Sequence, residues 1–309
     1  MIKPICVLGS LNIDLSIQLS KEIKVGETLR GSGFMIGNGG KGANQASAIA
    51  KLGSDVYLVG HVGNDYFGRK LITQLKRFGV HVDYIQKINS IPTGTAIIII
   101  ISGNNRIILD AGANETVSID SVRNAEKLIS KCGLIVSQFE IPYNSVCEAF
   151  LLARRNKVMT LLNPSPSLQI DDRLYQNTDI IIANEHEASD LTKINVLDLD
   201  SAKKAIRWFL GKGIKIPIIT LGAAGCVFSD DASIEHFSAE TVDAVDTTCA
   251  GDSFLGAFAV SLINGEGIRN AIEYATAAAA ITVTRRGAQS SLPKADEVKK
   301  RLIQIRNKS

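Results

Sequence analysis

"LIVSQFEIPYNSVCEAFLLARRNKVMTLLN", Leu134 to Asn163, carries the deciding pattern: an apolar burst, a helix-compatible stretch, and a second apolar burst. "LIVSQ" (134–138) and "VMTLLN" (158–163) are nearly continuous apolar runs, which read as strands covered on both faces. Outward from this unit the rhythm repeats. "ICVLG" (5–9), "DVYLVG" (55–60), "DIIIAN" (179–184) and "IPIITLG" (216–222) are further strands, and "SAKKAIRWFLGKG" (201–213) is another helix-compatible stretch. The pattern predicts an α/β fold in three layers, a parallel sheet with helices on both faces. Ligands on such sheets sit beyond the carboxyl ends of the strands.

Two regions break the rhythm. Residues 15–36 alternate weakly, and residues 93–110, "TGTAIIIIISGNNRIILD", read as two strands around a "GNN" turn. With no repeat and no Pro/Gly-rich linker, we expect a single domain over 1–309, with these two segments as a small β lid or dimerisation flap. "AIIIII" (96–101) is too short to span a bilayer and reads as a buried strand, and its hairpin is the expected edge of a homodimer. A net charge of +3 without a basic block argues against nucleic acid, and the few aromatics do not interleave with Lys or Arg. Five scattered cysteines, none in a CxxC pair, argue for free thiols in a reducing compartment. "MIKPICVLGS" lacks the apolar core of a signal peptide, so the expected location is the cytoplasm.

"GNGGKGANQ" (37–45) contains G-x-G-x-x-G at Gly37, Gly39 and Gly42. A dinucleotide fold would set that loop after the first strand, with an acid about twenty residues on. Here the first strand is followed by "GSLNIDL", and no suitable acid lies at that distance. A phosphate-binding P-loop needs Ser or Thr after its lysine, whereas Lys41 precedes Gly42. A plain turn capping "ANQASAIAKL" accounts for one or two of these glycines. Close approach of backbone to a ligand accounts for Gly39 and Gly40, and Lys41 and Asn44 add donors suited to a hydroxyl-rich ligand.

"GSLNIDL" (9–15), "GGKGANQA" (39–46), "NEHE" (184–187), "TLGAAG" (220–225), "VDTTCAGDSFLGAF" (245–258) and "TRRGAQSSLP" (284–293) occur in this order. The set covers nearly the whole chain and resembles the ribokinase-like (PfkB-type) family of carbohydrate kinases. The resemblance implies a sheet domain with a small β lid, ATP with Mg2+, and phosphate transfer to a sugar hydroxyl. "GGKGANQA" with "GAQSS" narrows the implied substrate to D-ribose, phosphorylated at its 5-hydroxyl.

A helix starting near Gly251 leaves unpaired N–H groups in its first turn. Small residues Cys249, Ala250 and Gly251 would let those groups close on the transferring phosphoryl as an anion hole, with Asp252 as the base. The blander alternative is that Asp252 only complements the helix dipole. Carried over from the family, Asn12, Asp14, Gly39, Gly40, Lys41, Asn44, Glu140 and Asp252 would line the sugar site. Asn184, Thr220, Gly222, Gly225 and Gly251 would meet the nucleotide, and Glu187 would help hold Mg2+. A K+ site is implied at Asp246, Thr248, Thr282, Arg285, Gly287 and Ser291. Thr282 enters only through its carbonyl, so its side chain is expected to matter little. "YATAAAAITVT" (274–284) is the expected wall of the adenine pocket. Cys249 departs from the family's usual alanine, and its place at a helix N-terminus predicts a lowered thiol pKa and sensitivity to oxidation or alkylation. A kinase for 2-deoxyribose or another small sugar, a non-catalytic sensor and a dehydrogenase are the rival readings.

Overall fold

In β1 (Ile5–Leu8), Ile5 and Val7 pack into one apolar core, while Cys6 and Leu8 pack into another. A strand wholly apolar along its length serves two cores at once, because successive side chains face opposite ways. The computed structural model describes residues 2–102, 104–230 and 233–306. The amino-terminal part runs β2 (Asn12–Leu19), β3 (Ser32–Gly39), α1 (Lys41–Lys51), β4 (Val56–Gly63), α2 (Tyr66–Phe78), β5 (Ile85–Ile88), β6 (Gly94–Ile101) and β7 (Asn104–Asp110). The middle runs α3 (Ile119–Asn124), α4 (Glu126–Ile129), β8 (Leu134–Ser137), α5 (Tyr143–Arg155), β9 (Met159–Leu162), α6 (Asp172–Gln176), β10 (Ile180–Asn184) and α7 (Glu185–Thr192). The remainder is α8 (Leu199–Gly211), β11 (Ile216–Thr220), β12 (Cys226–Asp230), β13 (Ser233–Phe237), α9 (Ala250–Ile263), α10 (Ile268–Val283) and α11 (Ala295–Arg306).

Among the described residues, nine strands form the main sheet in the order β13-β12-β11-β10-β9-β8-β1-β4-β5. Helices α1, α2, α9, α10 and α11 cover one face, and α3 to α8 cover the other. The expected three-layer α/β architecture is therefore present, with one correction. β11–β12 and β12–β13 pair antiparallel, so one edge of the sheet departs from the all-parallel expectation. The "TLGAAG" turn returns the chain directly into β12 with no crossover helix, and a short return of this kind can only pair antiparallel.

A second sheet has the order β3-β2-β6-β7. Its first two strands in the chain, β2 and β3, begin at Asn12 and end at Gly39, beyond both ends of the 15–36 segment. β6 and β7 form the expected antiparallel hairpin, though Gly103 of its turn lies outside the described residues. The "AIIIII" run is not buried as expected: Ile97 is exposed and Ile98 to Ile100 are only half-buried. It belongs to the smaller sheet, which no helix layer covers on both faces, so its isoleucines are left open. No described helix is long and apolar enough to cross a membrane.

Candidate active site

α9 has no polar face. From Asp252 to Ser261 every residue is buried, as the apolar-all-round "SFLGAFAVSLI" requires of a central helix. α1 lies directly on it, since a Cβ added to Gly256 would come within 2.6 Å of Ala48 Cβ. One helical turn back from that contact on each helix, Asn44 and Gln45 face Asp252. Asn44 Nδ2 donates to Asp252 Oδ2 at 3.1 Å, and Gln45 Nε2 donates to Oδ1 at 3.0 Å.

Burial raises the Asp252 pKa above the ordinary carboxylate value, opposed by the Lys41 charge and the two amide donors. Burial alone would lower the Lys41 ammonium, but the charges of Asp252, Glu140 and Glu187 outweigh it and its pKa is raised. Asp14 is pushed up to about 7, first by burial and then by the Glu140 and Asp252 charges. Lys41 therefore stays charged beside three carboxylates, while Asp14 and Asp252 hold protons more readily than free side chains.

Asn12 and Asp14 come just after β1 in the chain and lie in β2 of the smaller sheet. Glu140 ties the two sheets together: its Oε2 accepts from Ser10 Oγ at 2.5 Å, Asn12 Nδ2 at 3.3 Å and the Lys41 backbone N–H at 3.1 Å. Asn114, which the sequence reading missed, fixes the start of β2 by accepting from Leu11 N and donating to Asn12 Oδ1 at 2.7 Å. The glycine loop needs its glycines for the protein itself. A Cβ on Gly39 would meet the Asp14 carboxylate at 2.2 Å, and Gly40 has φ 89° with the Asn12 backbone at 2.6 Å. The missing Cβ atoms thus make room for Asp14 and β2, which corrects the view that ligand contact alone calls for them. Asn44 Oδ1 is a buried acceptor with no partner among the described residues, a place for a ligand hydroxyl.

Cys249 overturns its expectation. It is the N-cap of α9 with φ 67° and is 9% exposed. Its thiol pKa is raised well above the usual value, first by burial and then by the Asp252 carboxylate. The direction is opposite to the lowering expected at a helix terminus. Ala250 N–H already bonds to the Thr247 carbonyl at 3.2 Å. The N–H groups of Gly251 and Asp252 have no partner among the described hydrogen bonds, and Gly251 is exposed with open space where a Cβ would stand.

Asp246 is half-buried, and its carboxylate accepts from Thr248 N and Gly287 N at 2.9 Å each. Burial acts to raise its pKa, but these donors prevail and hold it below the usual range. Val245 N and Asp246 N both donate to the Val283 carbonyl, and Arg285 N donates to that of Thr282, so the two halves of the expected cation site are joined. Ser291 Oγ lies 2.7 Å from the Ala288 carbonyl, and the Arg285 side chain is turned away to Glu297. Thr282 corrects another expectation: its side chain is fully buried, 2.7 Å from Ser253 Oγ, and joins α10 to the first turn of α9.

Asn184 and Glu187 form a reciprocal capping box at the start of α7 (2.8 and 3.0 Å), a role the sequence reading did not include. Thr220 pairs with Asn184 across β10 and β11, which places both beside the Gly222–Ala224 turn. Gly225 was assigned to nucleotide clearance; in the structure a Cβ there would meet the Phe237 carbonyl at 1.9 Å, so protein backbone demands it. Beyond that turn a cavity of about 270 Å³ is lined by Phe237, Ala239, Thr276 and Ala277, among others. Thr276 and Ala277 belong to the α10 stretch expected to wall the adenine pocket, and Thr276 Oγ1 is buried without a partner among the described residues. No cluster of three or more metal-ligating side chains occurs among the described residues. An ion carried in on nucleotide phosphates needs few protein oxygens, and Glu187 suits that role.

The family model for pfkB family carbohydrate kinases matches residues 3–295. The chain belongs to this family. Within it, the kinase is 40% identical to a ribokinase of Schizosaccharomyces pombe over 95% of this chain and 96% of the relative. It is 40% identical to a ribokinase of Haemophilus influenzae, over 96% and 97% of the two chains. The structure of Arabidopsis thaliana ribokinase complexed with ribose and ATP superposes with a TM-score of 0.91 at 31% identity, covering 98% and 99% of the two chains. The kinase thus keeps both the fold and the order of motifs read from its sequence.

Proposed function

We propose that this kinase transfers the γ-phosphoryl group of ATP to the 5-hydroxyl of D-ribose. The observation that carries the reading is the buried Asp252 carboxylate in the first turn of α9, faced by Lys41, Asn44, Asp14 and Glu140. Asn12, Asp14, Lys41, Asn44 and Glu140 grip the sugar hydroxyls, and Gly39 and Gly40 keep β2 and α1 close enough for them to converge. Asp252 takes the proton of the attacking hydroxyl as the O–P bond forms, and ADP leaves with its bridging oxygen. The open N–H groups of Gly251 and Asp252, reached past the small Cys249 and Ala250, face the phosphoryl oxygens.

Asn184, Thr220, Gly222 and Gly225 border the nucleotide, whose base occupies the cavity along α10. Glu187 would hold Mg2+ at the phosphates, and that ion supplies charge neutralisation. The Asp246 carboxylate, with oxygens from Thr248, Thr282, Arg285, Gly287 and Ser291, offers the all-oxygen donor set that K+ takes. Five free cysteines, all buried, suit a reducing compartment, and the cytoplasm is the proposed location.

A coupled ADP-release assay over D-ribose, 2-deoxyribose and fructose, with and without K+, tests the reading. We expect ribose to be the preferred acceptor and K+ to raise turnover. Faster turnover on 2-deoxyribose would reassign the substrate, and no turnover on any sugar would support a sensor instead.

The smaller sheet is proposed as a lid over the sugar and as the interface of a homodimer. Phe34, Met35 and Ile36 are exposed on one edge strand and Ile107, Ile108 and Leu109 on the other, and large exposed apolar side chains at a sheet edge suit an interface. Sedimentation velocity is expected to give a dimer that Ile107→Asp converts to a monomer; a monomeric parent enzyme would refute it.

A further inference from the structure

Gln45 is fully buried, and every polar atom of its side chain is engaged. Besides its bond to Asp252, its Nε2 donates to Asn163 Oδ1 at 3.3 Å, while its Oε1 accepts from Gln138 Nε2 at 2.6 Å. Asn163 is oriented in turn, because its Nδ2 donates to the Ile182 carbonyl at 3.0 Å and leaves only its oxygen towards Gln45. Gln138 follows β8, Asn163 follows β9, and Ile182 lies in β10. Three adjacent strands of the main sheet therefore decide which way round the Gln45 amide points. Reversing it would set its oxygen against two acceptors and its NH2 against a donor, at a side chain that is fully buried.

The far end of this relay carries a cost. Gln138 Oε1 is buried without a partner among the described residues and sits 2.2 Å from where a Gly9 Cβ would be. An unpaired buried acceptor is unfavourable. Turning the Gln138 amide around would move its oxygen against Gln45 Oε1 and break the relay, so the chain keeps the unpaired atom.

We infer that Gln45, held by Gln138 and Asn163, is the positioning residue that fixes the Asp252 carboxylate and favours its ionised, proton-accepting form. The inference rests on Asp252 acting as the base. The charged and titratable groups around Asp252 are Lys41 on α1, Glu140 beyond β8, Asp14 on β2 and Cys249 before α9, with Glu187 on α7 facing Lys41. None of them is hydrogen-bonded to Gln45 or Gln138, so replacing either amide removes none of these charges. Removing the donor to Oδ1 takes away support for the charged form alone, so the ionisation moves upward.

The test is the pH profile of kcat for the parent enzyme, Gln45→Leu, Gln138→Leu and Asp252→Asn. The acidic limb is expected to move up by about one pH unit in Gln45→Leu, with KM for ribose within about threefold of the parent. Gln138→Leu, which removes the unpaired oxygen and touches no part of Asp252, shifts it the same way by less. It decides the matter alone if Gln45→Leu does not fold. A parental limb in both variants beside an inactive Asp252→Asn overturns the positioning role and leaves the base intact. An active Asp252→Asn removes the base and this role with it.

Discussion

Asp252→Asn is expected to lower kcat by about three to four orders of magnitude, the upper end of what a positioned base contributes. The amide cannot take the hydroxyl proton, and the α9 terminus and Lys41 remain to orient both substrates. Ribose affinity by calorimetry should therefore stay within about threefold of the parent. Folding changes little, because two effects oppose each other. Asn44 and Gln45 both donate to Asp252, and an amide can accept only one of those bonds, a loss of about 1 kcal/mol. Against this, the variant no longer buries a charge. A variant retaining more than a tenth of parental turnover would remove Asp252 from the chemistry and return it to the simpler role of a helix-dipole partner.

Asp14→Asn is expected to have opposite effects on function and stability. The carboxylate has no protein donor in the described hydrogen bonds, and its pKa stands at about 7. A sugar hydroxyl pair is its natural partner, and losing a hydrogen bond to a charged group should raise KM for ribose about 10- to 100-fold. In the parent, ribose affinity should fall as pH drops below about 7, where a proton occupies the oxygens, and the variant should lack that dependence. Stability runs the other way. The unfolded side chain ionises above the ordinary 3.8, while the folded one keeps its proton to about 7. The folded state binds more protons in that window, so stability declines as pH rises through it and the penalty is complete above it. A shift of about three units is worth at most about 4 kcal/mol, and partial solvent access reduces this to about 2 kcal/mol. Asp14→Asn should therefore melt higher than the parent at pH 8 and equally at pH 4. A lower melting point at pH 8 would contradict the account.

The layered sheet was legible because its strands are doubly buried and so nearly pure in apolar residues. β12 and β13 escaped notice because "CVFSD" and "SIEHF" are short and partly polar, with no periodicity strong enough to declare them. Within the site, Asp252, Lys41 and Glu140 stood out as charges beside glycines or at strand ends. Gln45, Gln138, Asn163 and Asn114 did not, because a single amide carries no meaning until the strands that hold it are stacked side by side. Cys249 was misjudged for a related reason. Its position at a helix start can be read locally, but its burial depends on α1 and the 288–292 loop, which pack around it. The missing polar face of "SFLGAFAVSLI" was the available signal that the whole helix start lies deep.

Gly42 stands with the main chain of Gly9 and Ser10 only 2.5–2.7 Å from where a methyl would be, so α1 is seated against the β1 turn backbone to backbone. For anyone reshaping this enzyme towards bulkier acceptors, that seam is a fixed wall. Of the four glycines between 37 and 42, Gly37 alone has ordinary room, with Asp14 Cβ at 3.6 Å. New acceptor scope must come from the open strands facing it, where side chains can be exchanged without parting the two halves of the molecule.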